Sequence, residues 1–205
     1  MIGIIDYGAG NLASVQNAFE RIGNESKIFS NPEHIKDFSH IVLPGVGSFS
    51  KAMESIISLG WKKQITLEVS KGKPILGICL GMQLLFDEGF EGGKNAGLGI
   101  LNGSVQKLDS RFSLKIPHIG WNRLFIKTDH PVMRGIKEHI DFYFVHSYKC
   151  VPTSEDIILS ETKYGEDFVS SVFHKNIIGM QFHPEKSQPA GLKILQNFAN
   201  WDGKC

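Results

Sequence analysis

Cysteine is scarce in this sequence: Cys79, Cys150 and Cys205 are the only three in 205 residues. An odd, widely spaced set argues against a disulfide framework and for a reducing, cytoplasmic setting. It also lacks the close cysteine pairs of a zinc site, so no metal is expected. Charge of one sign is equally lacking. A net charge of +1 gives no reason to expect nucleic acid or an anionic membrane surface as partner. No apolar run reaches the length of a membrane-spanning helix. The start, Met1-Ile2-Gly3-Ile4-Ile5-Asp6, has neither the basic end nor the long apolar stretch of a signal peptide and reads as a first strand. Repeats, low-complexity tracts and linkers are missing too. What remains is an ordinary globular composition, 41% hydrophobic and 21% charged. Its length suits one domain over residues 1–205 with a sizeable core.

The first half alternates strand and helix signals. Ile2–Asp6 is a buried strand, Gly8-Ala9-Gly10 a turn, and Asn11 a helix N-cap. Leu12, Val15, Phe19 and Ile22 mark one helical face that stops at Gly23. Ser26–Phe29 and His40–Leu43 are further strands. Pro44-Gly45-Val46-Gly47 follows, with Ser48 as N-cap of a helix whose stripe is Phe49, Ala52, Met53, Ile56 and Ile57. Trp61, Ile65 and Val69 mark another helix, ending near Gly72. This order is the opening of a doubly wound α/β fold. Gly8-x-Gly10-x-x-Ala13 formally fits a dinucleotide fingerprint, but Glu33 follows Pro32 instead of ending a strand. Nothing later supplies a nicotinamide site, so no cofactor is expected.

One stretch organises the chain. Pro74-Ile75-Leu76-Gly77-Ile78-Cys79-Leu80-Gly81-Met82-Gln83-Leu84-Leu85 reads as a buried strand, a cysteine between glycines, and a helix start. Gly77 and Gly81 remove side chains where the two limbs would clash. The turn projects the Cys79 thiol, and the unpaired N–H groups of the following helix favour thiolate and can hold an oxyanion. A merely buried cysteine needs no such elbow. In a parallel sheet the Gly45-Val46-Gly47 junction lies at the same edge, where a flexible peptide could turn an N–H towards that oxyanion.

After the elbow, Asp87–Gly97 is polar and glycine-rich and reads as an exposed loop. The second half is strand-rich: Gly99–Lys107, Arg123–Ile126, Asp141–Val145, Ile157–Glu161, Phe168–His174 and Ile177–Phe182. Ala190–Trp201 closes the chain as an amphipathic helix. A cysteine nucleophile needs a histidine base, and the base an orienting group. His183 stands out at a strand end, rigidified by Pro184, with Glu185 two residues on. His118 and His146 are competitors, and Asp141 could approach His146 across a sheet.

The elbow and Gln181-Phe182-His183-Pro184-Glu185-Lys186-Ser187 resemble the class I (triad) glutamine amidotransferases. Ile5-Asp6-Tyr7-Gly8-Ala9-Gly10-Asn11-Leu12, Leu43–Gly47, Pro117–Asn122 and Tyr143–Tyr148 are similar to segments of one branch of that family. That branch comprises the glutaminase subunits of imidazole glycerol phosphate synthases. The resemblance runs from Asp6 to the final helix and implies a flavodoxin-like α/β fold, with a mostly parallel central sheet flanked by helices. It implies hydrolysis of glutamine to glutamate and ammonia through a Cys79 thioester, with His183 as acid and base and Glu185 orienting it. The oxyanion hole would be the Leu80 N–H with one from Val46 or Gly47. Gly47, Gln83, Ser147 and Tyr148 would hold glutamine. The implied partner is a (β/α)₈ cyclase in histidine biosynthesis, met near Asn11, His118, Trp121 and Asn122. Asn102-Gly103 and Lys149-Cys150 depart from the common pattern, the second near the glutamine site. Other readings are a paralogue supplying ammonia for sugar amidine formation, a stand-alone cysteine hydrolase of γ-glutamyl amides, and a non-catalytic scaffold.

Overall fold

The computed structural model describes residues 1–109, 114–137 and 139–204, and Cys205 lies outside them. Strand β1 (Ile2–Ile5) leads through helix α1 (Leu12–Arg21) to β2 (Ser26–Phe29), and a 3₁₀ turn at Pro32–Asp37 leads to β3 (His40–Gly45). Helices α2 (Phe49–Ser58) and α3 (Trp61–Ser70) precede β4 (Ile75–Cys79) and the short helix α4 (Leu80–Leu84). These bounds follow the sequence periodicities closely.

The strand-rich half departs further from expectation. The stretch expected to be an exposed loop holds β5 (Phe86–Gly89) and β6 (Asn95–Ala96), a hairpin beside β7 (Leu101–Lys107). Its order comes from ladder bonds to distant strands, which local composition does not announce. The run expected at Arg123–Ile126 is divided between β8 (His118–Arg123) and β9 (Phe125–Ile126), which belong to different sheets. There follow β10 (Asp141–His146), the unanticipated β11 (Tyr148–Pro152), β12 (Ile158–Tyr164), β13 (Glu166–His174) and β14 (Ile177–Met180). A 3₁₀ turn at Pro184–Lys186 leads to α5 (Gln188–Ala199).

Among the described residues the main sheet runs β2-β1-β3-β4-β14-β13-β11-β7-β5-β6, with β12 beside β13 and β9 beside β12. From β2 to β14 all neighbours are parallel. The strand order 2-1-3-4 and then a fifth parallel strand is that of doubly wound flavodoxin-like folds, which bind ligands at the carboxyl edge. β14–β13, β13–β11 and β11–β7 are antiparallel. β8 and β10 form a separate antiparallel pair.

The central strands are buried on both faces, so their runs are continuously apolar. Ile41 and Leu43 enter one core cluster with Met53, Ile56, Trp61 and Ile65, under α2 and α3. Val42, between them, enters the other with Phe19, Leu195 and Phe198, under α1 and α5. Each such fully buried large side chain contributes about 1.5–3 kcal/mol relative to exposure. This two-sided clamp holds the carboxyl edge of β3, β4 and β14 rigid.

Candidate active site

β4 ends in a forced turn. Cys79 has φ 55° and ψ −110°, a conformation that costs on the order of 1–3 kcal/mol for a residue with a Cβ. The glycines permit the turn. A Cβ on Gly81 would lie 1.8 Å from the Leu43 carbonyl oxygen, and one on Gly77 2.8 Å from the Gly81 backbone. α4 therefore folds back onto β3 and β4 at a distance that only hydrogen allows. It is a single short helix, since the chain turns at Leu85 into β5.

The thiol is nearly buried. Its sulfur approaches the Val145 carbonyl at 3.7 Å and receives the Gln181 Nε2–H at 3.7 Å. His183, three residues beyond the end of β14, reaches the same place. Its Nδ1 bonds Glu185 Oε1 at 2.7 Å, with both side chains almost wholly buried. A carboxylate can only accept here, so Nδ1 carries the proton. His183 Nε2 has no hydrogen bond of full geometry among the described residues. Burial lowers the proton affinity of His183, but the Cys79 sulfur and Glu185 outweigh it and raise the pKa to about 10. The ring is thus an imidazolium at neutral pH, with one N–H directed by Glu185 and the other available for chemistry.

A cleft of about 260 Å³ opens over Cys79, lined by Val46, Gly47, Leu80, Gln83, Glu91 and the Val145–Tyr148 segment, among others. Gly45 pairs with Cys79 across the β3–β4 ladder, which brings the Gly45–Gly47 peptides beside the nucleophile. Gly47 has φ 99°, a region open to glycine. The structure thus brings Cys79, Leu80, Val46, Gly47, Gln83, Ser147 and Tyr148 to one cleft, with His183 and Glu185 behind it. Gln83 is held tightly: Nε2 donates to the Tyr148 carbonyl at 3.2 Å and to Gln181 Oε1 at 2.9 Å. With both amide protons used, the group it offers a ligand is Oε1.

Two residues of this site escaped the sequence reading. Gln181, fully buried, links Gln83 to the sulfur; it opens the Gln181–Ser187 segment of the family likeness, which assigns it no role. Glu91 reaches the cleft from the β5–β6 hairpin, and its Oε2 accepts the Phe49 N–H at 2.6 Å. It thereby caps α2, a role expected of Ser48, whose side chain makes no cap bond. No local pattern could have announced either.

The residues expected near a partner surface differ in exposure. Asn11 caps α1 through Ser14 N–H at 3.4 Å and is exposed. Alternation along β8 turns Ile119 and Trp121 outward, 59% and 47% exposed, but His118 inward, 2% exposed. His118 is therefore corrected from a surface residue to an interior one, and Asn122 is half-buried beside it. The proposed approach of Asp141 to His146 is excluded as well, because they lie at opposite ends of β10. Among the described residues neither His118 nor His146 has a carboxylate partner, and burial lowers them to about 4 and about 3, so both are neutral at pH 7. Among the described residues no cluster of ligating side chains could hold a metal, and no helix is long and apolar enough to cross a membrane.

A strained cysteine at the carboxyl edge of a parallel sheet, with a carboxylate-oriented histidine behind it, defines a class of thiol-dependent acyl-transfer enzymes. The chain belongs to the class-I glutamine amidotransferase family, whose sequence model matches residues 3–201. It is 49% identical over 198 residues to the imidazole glycerol phosphate synthase subunit HisH of Caldanaerobacter subterraneus subsp. tengcongensis, across 97% of each chain. The protein of the same name from Aquifex aeolicus is 48% identical, over 95% of this chain and 94% of its own. Solved structures share the fold at lower identity. PurLQS from Thermotoga maritima superposes with a TM-score of 0.77 at 21% identity, covering 97% of both chains. A glutamine amidotransferase from the same organism gives 0.66 at 15% identity, over 97% of this chain and 82% of that one.

Proposed function

We propose that this chain is the glutaminase subunit of an imidazole glycerol phosphate synthase, releasing ammonia from glutamine for a (β/α)₈ cyclase in the cytoplasm. The observation that carries the chemistry is the His183 ring, held by Glu185 at 2.7 Å on one nitrogen and biased by Cys79 from the other side. The Cys79 sulfur attacks the side-chain amide carbon of glutamine, and the carbonyl oxygen becomes an oxyanion. The Leu80 N–H and a peptide N–H of Val46 or Gly47 stabilise it, the second after rotation of the glycine-flanked loop. The His183 Nε2 proton passes to the departing nitrogen, which leaves as ammonia. His183, now neutral, takes a proton from water as the oxygen attacks the thioester, and Cys79 leaves as thiolate with glutamate released. Gln83 Oε1 and Ser147-Tyr148 hold the substrate. Glu91 is the only carboxylate lining the cleft among the described residues, and it suits the α-ammonium group. Ammonia in water near neutral pH is mostly protonated and non-nucleophilic, which favours direct delivery to a bound partner. The subunit assignment rests on the near full-length similarity to proteins named HisH.

The test is Cys79→Ala in the assembled complex with the cyclase that co-purifies with the chain. Glutamine-dependent synthesis is expected to disappear and ammonia-dependent synthesis to persist. Loss of both, or a co-purifying partner that modifies sugars, would overturn the assignment.

A further inference from the structure

His118 and His146 are left unused by this chemistry, yet they are aligned with the cleft. His146 Nδ1 lies 2.8 Å from the Tyr148 carbonyl, which can only accept, so that nitrogen carries a proton. A neutral His146 then presents Nε2 as an acceptor. His118 Nδ1 stands 3.0 Å from it and must be the donor. His118 Nε2 is thereby an acceptor, 3.4 Å from Asn122 Nδ2. Asn122 is oriented independently: its Nδ2 donates to the Lys163 carbonyl at 2.9 Å and its Oδ1 accepts the Arg123 N–H at 2.8 Å. The tautomers derived from the two ends agree. Stacking locks the His118 ring between Tyr164 and Phe144, with centroids at 3.9 and 5.0 Å. The chain continues without a gap, because the Tyr148 carbonyl also accepts from Gln83, and Gln83 bonds Gln181 on the sulfur.

We propose that His118 is a positioning residue for glutamine recognition: by donating to His146 Nε2 it anchors the ring whose Nδ1–H holds the Tyr148 carbonyl, and with it the Gln83 amide, in the cleft. The inference rests on the glutaminase reading above. Without the His118 donor, His146 Nε2 is a buried acceptor with no partner, the ring shifts to find one, and the Tyr148 carbonyl loses its rigid partner. The amide of Gln83 then reorients at small cost, and the cleft no longer presents Oε1 to the substrate.

The experiment compares His118→Phe, which keeps the stacked ring but removes the donor, with His118→Asn, whose amide N–H can take the place of Nδ1–H. Cys79 labelling is followed by mass spectrometry of its peptide, with a glutamine-derived chloromethyl ketone and with iodoacetamide, and KM and kcat for glutamine are measured alongside. His118→Phe is expected to slow labelling by the glutamine analogue, and to raise KM, by roughly tenfold, the worth of one such hydrogen bond. Iodoacetamide labelling and kcat should move little. Nitrogen-15 shifts should show His146 Nε2 losing its hydrogen-bond donor while Nδ1 stays protonated. His118→Asn should recover most of the recognition although it packs less well, the opposite order to that of a purely structural role. A wild-type His146 Nε2 shift, labelling and KM in a folded His118→Phe would overturn the inference, as would a His118→Asn variant as impaired as His118→Phe. A wild-type chain that never hydrolyses glutamine would instead sink the glutaminase reading.

Discussion

Four histidines are buried among the described residues, and three of them, His118, His146 and His183, hold opposite charge states that neighbouring charge decides. For His118 and His146 burial dominates and keeps them uncharged, and the charge of His183 lowers His146 further. His183 is buried too, but Cys79 and Glu185 overcome that cost and hold it protonated up to about pH 10. Because the folded pKa is raised above 6.5, its contribution to stability is complete below that value and is lost as pH rises through about 10. In the proposed mechanism the same proton is the one given to leaving ammonia. Glu185→Gln removes one of the charges that raise it, so the alkaline limb of glutamine turnover should move to lower pH. Turnover itself should fall by roughly 10²–10⁴-fold, the usual contribution of oriented acid–base catalysis. A pH–rate profile checks both, and an unmoved alkaline limb would count against Glu185 as the source of the shift. The triad residues were legible because histidine, proline and glutamate lie within one short turn. Gln181 and Glu91 were not, because their roles come from where distant strands deliver them.

At the scale of elements, the elbow depends on the approach of α4 to β3. Gly81→Ala places a methyl group 1.8 Å from the Leu43 carbonyl oxygen, where both atoms belong to packed backbone. No side-chain rotation relieves that contact, so α4 and the β3 end must separate. The expected result is destabilisation of about 1–3 kcal/mol or more, seen by chemical denaturation, together with loss of Cys79 reactivity towards a glutamine analogue. Full reactivity in Gly81→Ala would show that the elbow tolerates a wider turn. Helices and parallel strands were readable from periodicity because each buries a stripe or a whole run. The β5–β6 hairpin was not, since its polar residues need face only a ladder partner. β8 and β9 looked like one tract because sequence does not say that neighbouring residues pair with different sheets.

The whole molecule separates stability from chemistry along β4. At its amino end the buried Glu68 carboxylate binds Lys71 Nζ at 2.7 Å and Lys73 Nζ at 2.9 Å, and Lys73 also donates to the Ile35 carbonyl at 2.7 Å. The cluster ties α3, the turn into β4 and the segment before β3 together. Bonds from Lys71 and then Lys73 lower the Glu68 pKa below 4.5, against burial, which raises it. Its contribution is therefore present above that value and lost as pH falls through the lower folded value. Glu68→Gln should cost about 1.5–3 kcal/mol at pH 7, the range for hydrogen bonds to charged groups. The gap to wild type should close in acid, while KM for glutamine stays unchanged because Cys79 lies at the far end of the strand. A pH series of urea midpoints decides it; an acid-independent gap would assign the loss to packing.

Sequence alone determined the fold class, a candidate nucleophile and the likeness to one family, because these rest on local order: apolar runs, glycines flanking a cysteine, a histidine two residues from a glutamate. Only the tertiary structure decided which surfaces face the cleft. Strand alternation and ladder pairing turned His118 inward, brought Glu91 from a hairpin to the rim, and joined Asn122 to Cys79 through Tyr148, Gln83 and Gln181. Those placements arise from hydrogen bonds between residues far apart in the chain, and the spacing of neighbouring residues carries no record of them.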